Sequence, residues 1–242
     1  MKPVRTHRAK TVVAAARLHR SRERRERGLT LVEGPQLIAD VETSGAVIRE
    51  KFGTDPTVPG VTPVDQRALE RLAGTESPRG PVAVVEIPIE WLDRSRNLLV
   101  SVGVSDPGNV GTMIRTAAAF GWGFAYTEGT ADPWAPKTIR AGAAGQFQTP
   151  VSAIGTVGEL SGWTTVATIV TGGDSPSAVE ERPVALLVGE EAQGLPEQVV
   201  AAAAHRITIS TPGPTESLNA AIAAGIIVHE LAKGSGEPPA DV

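Results

Sequence analysis

Leu98–Phe120 reads LLVSVGVSDPGNVGTMIRTAAAF. Its first seven residues form a nearly continuous apolar run, the pattern of a strand buried on both faces of a parallel sheet. Asp106-Pro107-Gly108-Asn109 is strong turn chemistry. Gly111 permits close backbone approach, and Val110–Phe120 then has the composition of a helix. A strand, a turn and a helix in that order make up the repeating unit of an α/β domain. Toward the C-terminus the same reading predicts a strand at Gly123–Tyr126, a helix at Thr138–Gly145 and an extended Phe147–Val151. Further strands are expected at Thr164–Val170, Val184–Val188 and Arg206–Ser210, before a last helix at Ser217–Ala232. This alternation implies a mainly parallel sheet with helices on both faces. Toward the N-terminus, strands are expected at Leu29–Glu33, Val61–Val64 and Pro81–Ile87. Helices are expected at Pro35–Thr43, after Gly34, and at Asp65–Ala73, with Asp65 as its cap. That is a small α/β unit ending near Pro88, and Ile89–Asn97, with Trp91, reads as a linker. The expected division is therefore 1–90 and 96–242, with Gly234–Val242 frayed.

Composition narrows the function classes. Of 242 residues, 41% are hydrophobic and 21% charged, which is the balance of a globular chain. No apolar run approaches the ~18 residues that span a bilayer; the longest candidate is Ala220–Val228. The basic residues of MKPVRTHRAK have no apolar core behind them, so no secretory signal is expected. Without cysteine there is no disulfide scaffold, zinc ribbon, iron–sulfur site or thiol nucleophile. His7, His19, His205 and His229 lack metal-ligand spacing. The expectations are a cytoplasmic location, no membrane partner and no metal.

Charge is unevenly distributed. Residues 1–27 carry ten basic residues and two acidic ones, a net of +8, while the other 215 carry 13 and 25, a net of −12. A basic arm on an acidic body points to a polyanion partner. Eight of the ten basic residues are arginine, whose planar fork donates two hydrogen bonds to one phosphate. Arg20, Arg22, Arg24, Arg25 and Arg27 are the candidate phosphate contacts; the plainer reading is a solvated surface helix in which Glu23 and Glu26 pair locally.

Ligands of open α/β sheets bind beyond the carboxyl ends of strands, and three such turns stand out. Ser105–Arg115 (SDPGNVGTMIR) holds Asn109 and Arg115, the only charged residue between Asp106 and Glu128. Leu186–Leu195 (LLVGEEAQGL) runs from a buried strand into Gly189, Glu190, Glu191 and Gly194; adjacent carboxylates point in different directions and make a poor acid/base pair. Ile207–His229 stiffens a loop with Pro212, Gly213 and Pro214 before an almost wholly apolar helix. Thr215 and Ser217 are possible caps, and Ser217 and Asn219 are polar at a helix start expected to be buried. Neither G-x-G-x-x-G nor G-x-x-x-x-G-K-[ST] occurs, which disfavours ordinary dinucleotide and nucleoside triphosphate sites.

Together these stretches resemble the SpoU family of RNA ribose 2′-O-methyltransferases, within the SPOUT class of knotted methyltransferases. The motifs are Asp106-Pro-Gly-Asn109-Val-Gly-Thr-Met-Ile-Arg115-Thr, Gly189-Glu-Glu191-Ala-Gln-Gly194-Leu195 and Glu216-Ser217-Leu218-Asn219. The resemblance covers about 98–232 and includes Pro136–Pro150, where Gly142-Ala143-Ala144 replaces the usual Ser-Ala-Gly. More weakly, Leu31-Val-Glu-Gly34 and Arg79-Gly80-Pro81-Val-Ala-Val resemble the ribosomal-protein-like RNA-binding domain found before many SpoU domains.

The resemblance implies a deep trefoil knot, a homodimer through the last helix, and methyl transfer from S-adenosylmethionine to a ribose 2′-hydroxyl. Ribosomal RNA is the expected substrate, with transfer RNA as the alternative. It assigns Arg115, oriented by Asn109, to the hydroxyl. It assigns Glu191, Ser217 and Asn219 to shaping the pocket and holding the RNA backbone or Arg115. Gly189, Gly194, Ile209 and Leu218 would bind the cofactor. A guanidinium is a poor base, so the alternative role for Arg115 is to hold phosphate or a forming alkoxide. Two rivals are a catalytically silent RNA-binding protein, which would need a broken motif, and a nucleotide-binding enzyme using the Gly189 loop, which has no Lys or Arg for phosphate.

Overall fold

The computed structural model describes residues 4–78, 80–89, 91–214 and 217–233. Arg79, Thr215, Glu216 and the tail from Gly234 lie outside them. In chain order the elements are α1 (Lys10–Ala16), α2 (Ser21–Arg27), β1 (Leu29–Glu33), α3 (Pro35–Thr43), β2 (Ile48–Gly53), β3 (Val61–Pro63), α4 (Gln66–Ala73) and β4 (Val82–Glu86). There follow β5 (Leu98–Val102), α5 (Pro107–Ala119), β6 (Gly123–Tyr126), α6 (Pro136–Ala141), β7 (Val151–Ala153), β8 (Thr164–Thr168), β9 (Val184–Gly189), α7 (Glu197–Ala202), β10 (His205–Ile207) and α8 (Ala220–Lys233). The chain forms two compact units, one of residues 1–89 with 132–148 and one of 90–131 with 149–242. Residues 132–148, which the order of elements along the chain assigns to the second segment, thus fold with the first.

The first unit is a four-stranded sheet in the order β1-β4-β2-β3, antiparallel except for β2 against β3. Val12, Ala15 and Leu18 of the basic arm pack with Leu31, Phe52, Leu72 and Val84 in its core, so the arm is part of the fold. Asp65 caps α4 by accepting the Ala68 N–H at 2.7 Å, as expected. Gly28, left-handed at φ +60°, stops α2 so that β1 can begin. Residues 132–148 attach through side chains: Thr30 Oγ1 donates to Trp134 O at 2.6 Å, and Arg140 pairs with Glu33 at 2.5 Å. The helix expected over Thr138–Gly145 is shorter and earlier. Pro136 starts it, and Ala143 and Ala144, both at positive φ, end it before a short turn at Gly145–Phe147. The extended segment expected at Phe147–Val151 begins only at Val151.

The second unit holds a six-stranded, wholly parallel sheet in the order β10-β8-β9-β5-β6-β7. Every residue of β5 and β9 is buried, which is why both read as unbroken apolar runs. From β5 the chain proceeds outward through β6 and β7, then returns to build the other side through β8, β9 and β10. The strand order thus switches beside β5, and the crevice at its carboxyl end is where such sheets bind ligands. Asp106 caps α5 through the Asn109 N–H at 2.8 Å, with Pro107 in its first turn. The last helix begins at Ala220, three residues later than expected. Its cap is Asn219, whose Oδ1 accepts the Ala221 and Ile222 N–H groups at 3.0 and 3.1 Å. Among the described residues no helix is long and apolar enough to cross a membrane.

Candidate active site

The loops after β5, β9 and β10 converge within the second unit. Glu191 is the hub. Its Oε1 accepts hydrogen bonds from Asn109 Nδ2 at 3.1 Å, Asn219 Nδ2 at 2.5 Å and the Ala220 N–H at 3.2 Å. Asn219 Nδ2 also donates to Asn109 Oδ1 at 2.9 Å. Each amide is oriented unambiguously: the Asn219 oxygen faces the N–H groups of α8, which leaves its nitrogen for the carboxylate. One residue from each motif therefore enters a closed three-membered network. Oε2 of Glu191 has no hydrogen-bond partner among the described residues.

The neighbouring carboxylate diverges, as adjacency requires. Glu190 Oε1 accepts the Ser105 hydroxyl at 2.6 Å, a second tether between the first two loops. Sequence reading misses Ser105 as a partner. Nothing in its type marks it, since it lies one residue before the recognisable turn.

Arg115 departs from expectation in one respect. It is exposed on α5 and makes no hydrogen bond or ion pair among the described residues. Asn109 does not orient it, because the Asn109 amide is engaged by Glu191 and Asn219. Six helical positions turn the two side chains about 120° apart around the axis. Ser217 also stays outside the network. It and Asn219 are exposed, not buried at the helix start as expected.

Behind the network lies a cavity of about 360 Å³. Gly189, Gly194, Ile209 and Leu218 all line it, as does Ser217, so the four expected cofactor residues share one site. Gly189 is obligatory: a Cβ there would lie 2.3 Å from the Gly194 carbonyl carbon and 2.5 Å from the Leu195 nitrogen. Gly194 is left-handed at φ +68° and donates its N–H to Glu190 O at 2.7 Å, closing the turn. Val188, Leu195, Ile207 and Ile227 supply apolar walls. No hydrogen bond among the described residues engages the N–H of Ile209 or Leu218. Apolar walls with unengaged backbone donors suit a flat heteroaromatic ring with polar edges, such as the adenine of S-adenosylmethionine.

The arginines of the first unit divide. Arg20, Arg22, Arg25 and Arg27 are exposed. Arg22 pairs with Glu26 at 2.7 Å and Arg27 donates to Ala14 O at 2.7 Å, leaving Arg20 and Arg25 without partners among the described residues. Arg24 is only 3% exposed and cannot reach RNA. The expectation fails there because Arg24 faces the core side of α2, where it bonds Leu18 O, His19 O and Asp132.

Comparison with known proteins identifies the family. Residues 96–229 match the model of the SpoU rRNA Methylase family. The 23S rRNA (guanosine(2553)-2′-O)-methyltransferase of Bacillus subtilis is 30% identical over 96% of this chain and 99% of its own length. The AdoMet-bound rRNA methyltransferase from Sinorhizobium meliloti superposes with a TM-score of 0.81 at 26% identity, covering 93% of this chain and 95% of that one. The AdoMet complex of the SpoU methyltransferase AviRb from Streptomyces viridochromogenes gives 0.82 at 25% identity, over 94% and 98%. The chain belongs to the SpoU rRNA methylase family of S-adenosylmethionine-dependent RNA 2′-O-methyltransferases.

Proposed function

We propose that this protein methylates a ribose 2′-hydroxyl in ribosomal RNA, working as a homodimer in the cytoplasm. The observation that carries the reading is the Asn109–Glu191–Asn219 network at the mouth of the Gly189 cavity. S-adenosylmethionine supplies an activated methyl group on a sulfonium centre. The chain's own task is to hold the hydroxyl oxygen in line with that methyl at ~3–3.5 Å and to accommodate the charge that develops as the proton leaves. Glu191 is held at one oxygen by three donors and presents the other to the hydroxyl. Arg115, cationic and without an intramolecular partner among the described residues, binds a substrate phosphate or the forming alkoxide. It does not act as the base, because a guanidinium holds its proton too tightly to accept another group's.

The dimer reading rests on α8, where Ile222 is 56% and Ile226 40% exposed. These two large apolar side chains lie one turn apart on one face of the helix and ask for a covering surface. A trefoil knot through the last loop and helix goes with the family and with the strand order β10-β8-β9-β5. The first unit serves as the RNA-binding domain.

The test is methyl transfer in vitro from labelled S-adenosylmethionine to ribosomal RNA, ribosomal subunits and transfer RNA, with the modified position mapped by its resistance to alkaline hydrolysis. A single 2′-O-methyl in ribosomal RNA is expected. Label in transfer RNA alone, or none with any RNA, would refute the assignment.

A further inference from the structure

We propose that the Arg24–Asp132 ion pair is a positioning device for the substrate: it fixes the bend of the basic arm so that Arg17, Arg20 and Arg25 meet the RNA phosphates as one preformed surface. This rests on the reading that the chain binds ribosomal RNA.

Arg24 is the buried member of a helix whose other arginines face solvent. Its Nη1 donates to Leu18 O at 2.7 Å and His19 O at 2.9 Å, and its Nη2 to Asp132 Oδ2 at 2.5 Å. Leu18 and His19 end the short turn that joins α1 to α2, so one guanidinium spans the bend. Asp132 is equally committed. Ser21 Oγ donates to the same Oδ2 at 3.0 Å, and the Trp134 N–H to Oδ1 at 2.8 Å. Both carboxylate oxygens are taken by the protein, and neither is left for a ligand.

With Arg24 buried and Asp132 partly exposed, the pair contributes little stability over an apolar pair of similar volume, because desolvating the guanidinium offsets the attraction. What it supplies is direction. Arginine's rigid fork reaches two carbonyls and a carboxylate at fixed angles, which a lysine ammonium on a flexible stem does not. Leu18 anchors the bend in the core, with no exposed surface. Arg17, Arg20 and Arg25 leave this fixed frame exposed and without intramolecular partners among the described residues. Phosphate contacts made from a rigid frame avoid the ordering cost that a floppy arm incurs on binding.

Asp132→Asn separates positioning from charge. Removing a negative charge beside a cationic arm strengthens RNA binding if only net charge matters; breaking the pair weakens it if the pair positions the arm. Affinity for a ribosomal RNA fragment and KM for RNA should worsen by about tenfold, the scale of ordering a few long side chains. Affinity for S-adenosylmethionine and kcat at saturating RNA should match the parent. Arg24→Lys keeps the charge and removes the fork, so it provides a second arm should Asp132→Asn not fold; the same drop in RNA affinity is expected. Parental or tighter RNA binding in either folded variant overturns the proposal while leaving the assigned reaction intact. A parent enzyme that neither binds nor methylates ribosomal RNA overturns both.

Discussion

Asn219 performs two tasks with one amide. Its oxygen caps α8, and its nitrogen holds Glu191 and Asn109. Two substitutions separate them. Asn219→Ala removes both, so stability should fall by about 1 kcal/mol, the usual worth of an N-cap, and methyl transfer should fall with it. Asn219→Asp keeps the cap but sets a carboxylate against Glu191, where the parent has a donor at 2.5 Å. Its thermal midpoint should exceed that of the alanine variant, yet its turnover should be no better; recovered turnover would show that the cap alone matters. Arg115 behaves oppositely. It is exposed and unpartnered among the described residues, so Arg115→Ala should change stability by less than about 0.5 kcal/mol. Affinity for S-adenosylmethionine should hold, while kcat should drop by about 10²–10³, the scale of removing one charge-stabilising donor. Calorimetric titration with the cofactor beside single-turnover kinetics checks both halves. Gly189→Ala should do the reverse, since a methyl 2.3 Å from the Gly194 backbone must open the loop that lines the cavity; cofactor affinity is the quantity to measure, and a parental value would contradict the assigned pocket.

At the scale of elements, α8 carries a dimer test that adjacent residues make sharp. Ile227 is 1% exposed and belongs to its own chain's core, whereas Ile226 is 40% exposed. Ile227→Asp should cost the monomer about 3–5 kcal/mol, as an unpaired buried charge does, and should unfold it. Ile226→Asp should leave the monomer folded and shift sedimentation from dimer to monomer. A parent that sediments as a monomer at micromolar concentration removes the premise. The same helix shows where reading the sequence works and where it stops. Its apolar run is plain, but its start is not: Thr215 and Ser217 read as the caps, whereas Asn219 caps the helix, where the Ala220 N–H meets Glu191. β5 and β9 are legible because burial on both faces leaves an unbroken apolar signature. β2 is not: Arg49, Glu50 and Lys51 interrupt Ile48–Gly53, and Phe52 is the one large apolar side chain that reports a buried side. Residues 132–148 are legible as a motif but not as part of the first unit, because Trp134, Asp132 and Arg140 find their partners over a hundred residues away. The site follows the same rule. Motif spacing locates Asn109, Glu191 and Asn219, and only the folded loops reveal that the three bind one another instead of Arg115.

For the whole molecule the governing feature is charge, +8 on the first 27 residues and −12 on the rest. Deleting residues 1–27 is the obvious test of an RNA-binding arm, but the structure makes it a poor one. Val12, Ala15 and Leu18 are core residues of the first unit, so the deletion would strip a packed face and confound binding with unfolding. The surface must be neutralised without touching the core. Arg17, Arg20 and Arg25 are exposed and unpartnered among the described residues, so Arg17→Gln, Arg20→Gln and Arg25→Gln combined should fold with a parental thermal midpoint. Each phosphate that the protein no longer neutralises takes about 0.7 from the slope of log affinity against log salt on single-stranded RNA and about 0.9 on a duplex, because its counterions stay bound. Three arginines, each at one phosphate, predict a slope shallower by about 2 to 3. Affinity should fall most at low salt and converge on the parent at high salt, where counterion release contributes little. Affinity for S-adenosylmethionine should be unaltered, since the cofactor cavity is lined by residues of the second unit alone. A triple variant with the parental salt slope would place the RNA phosphates elsewhere than Arg17, Arg20 and Arg25.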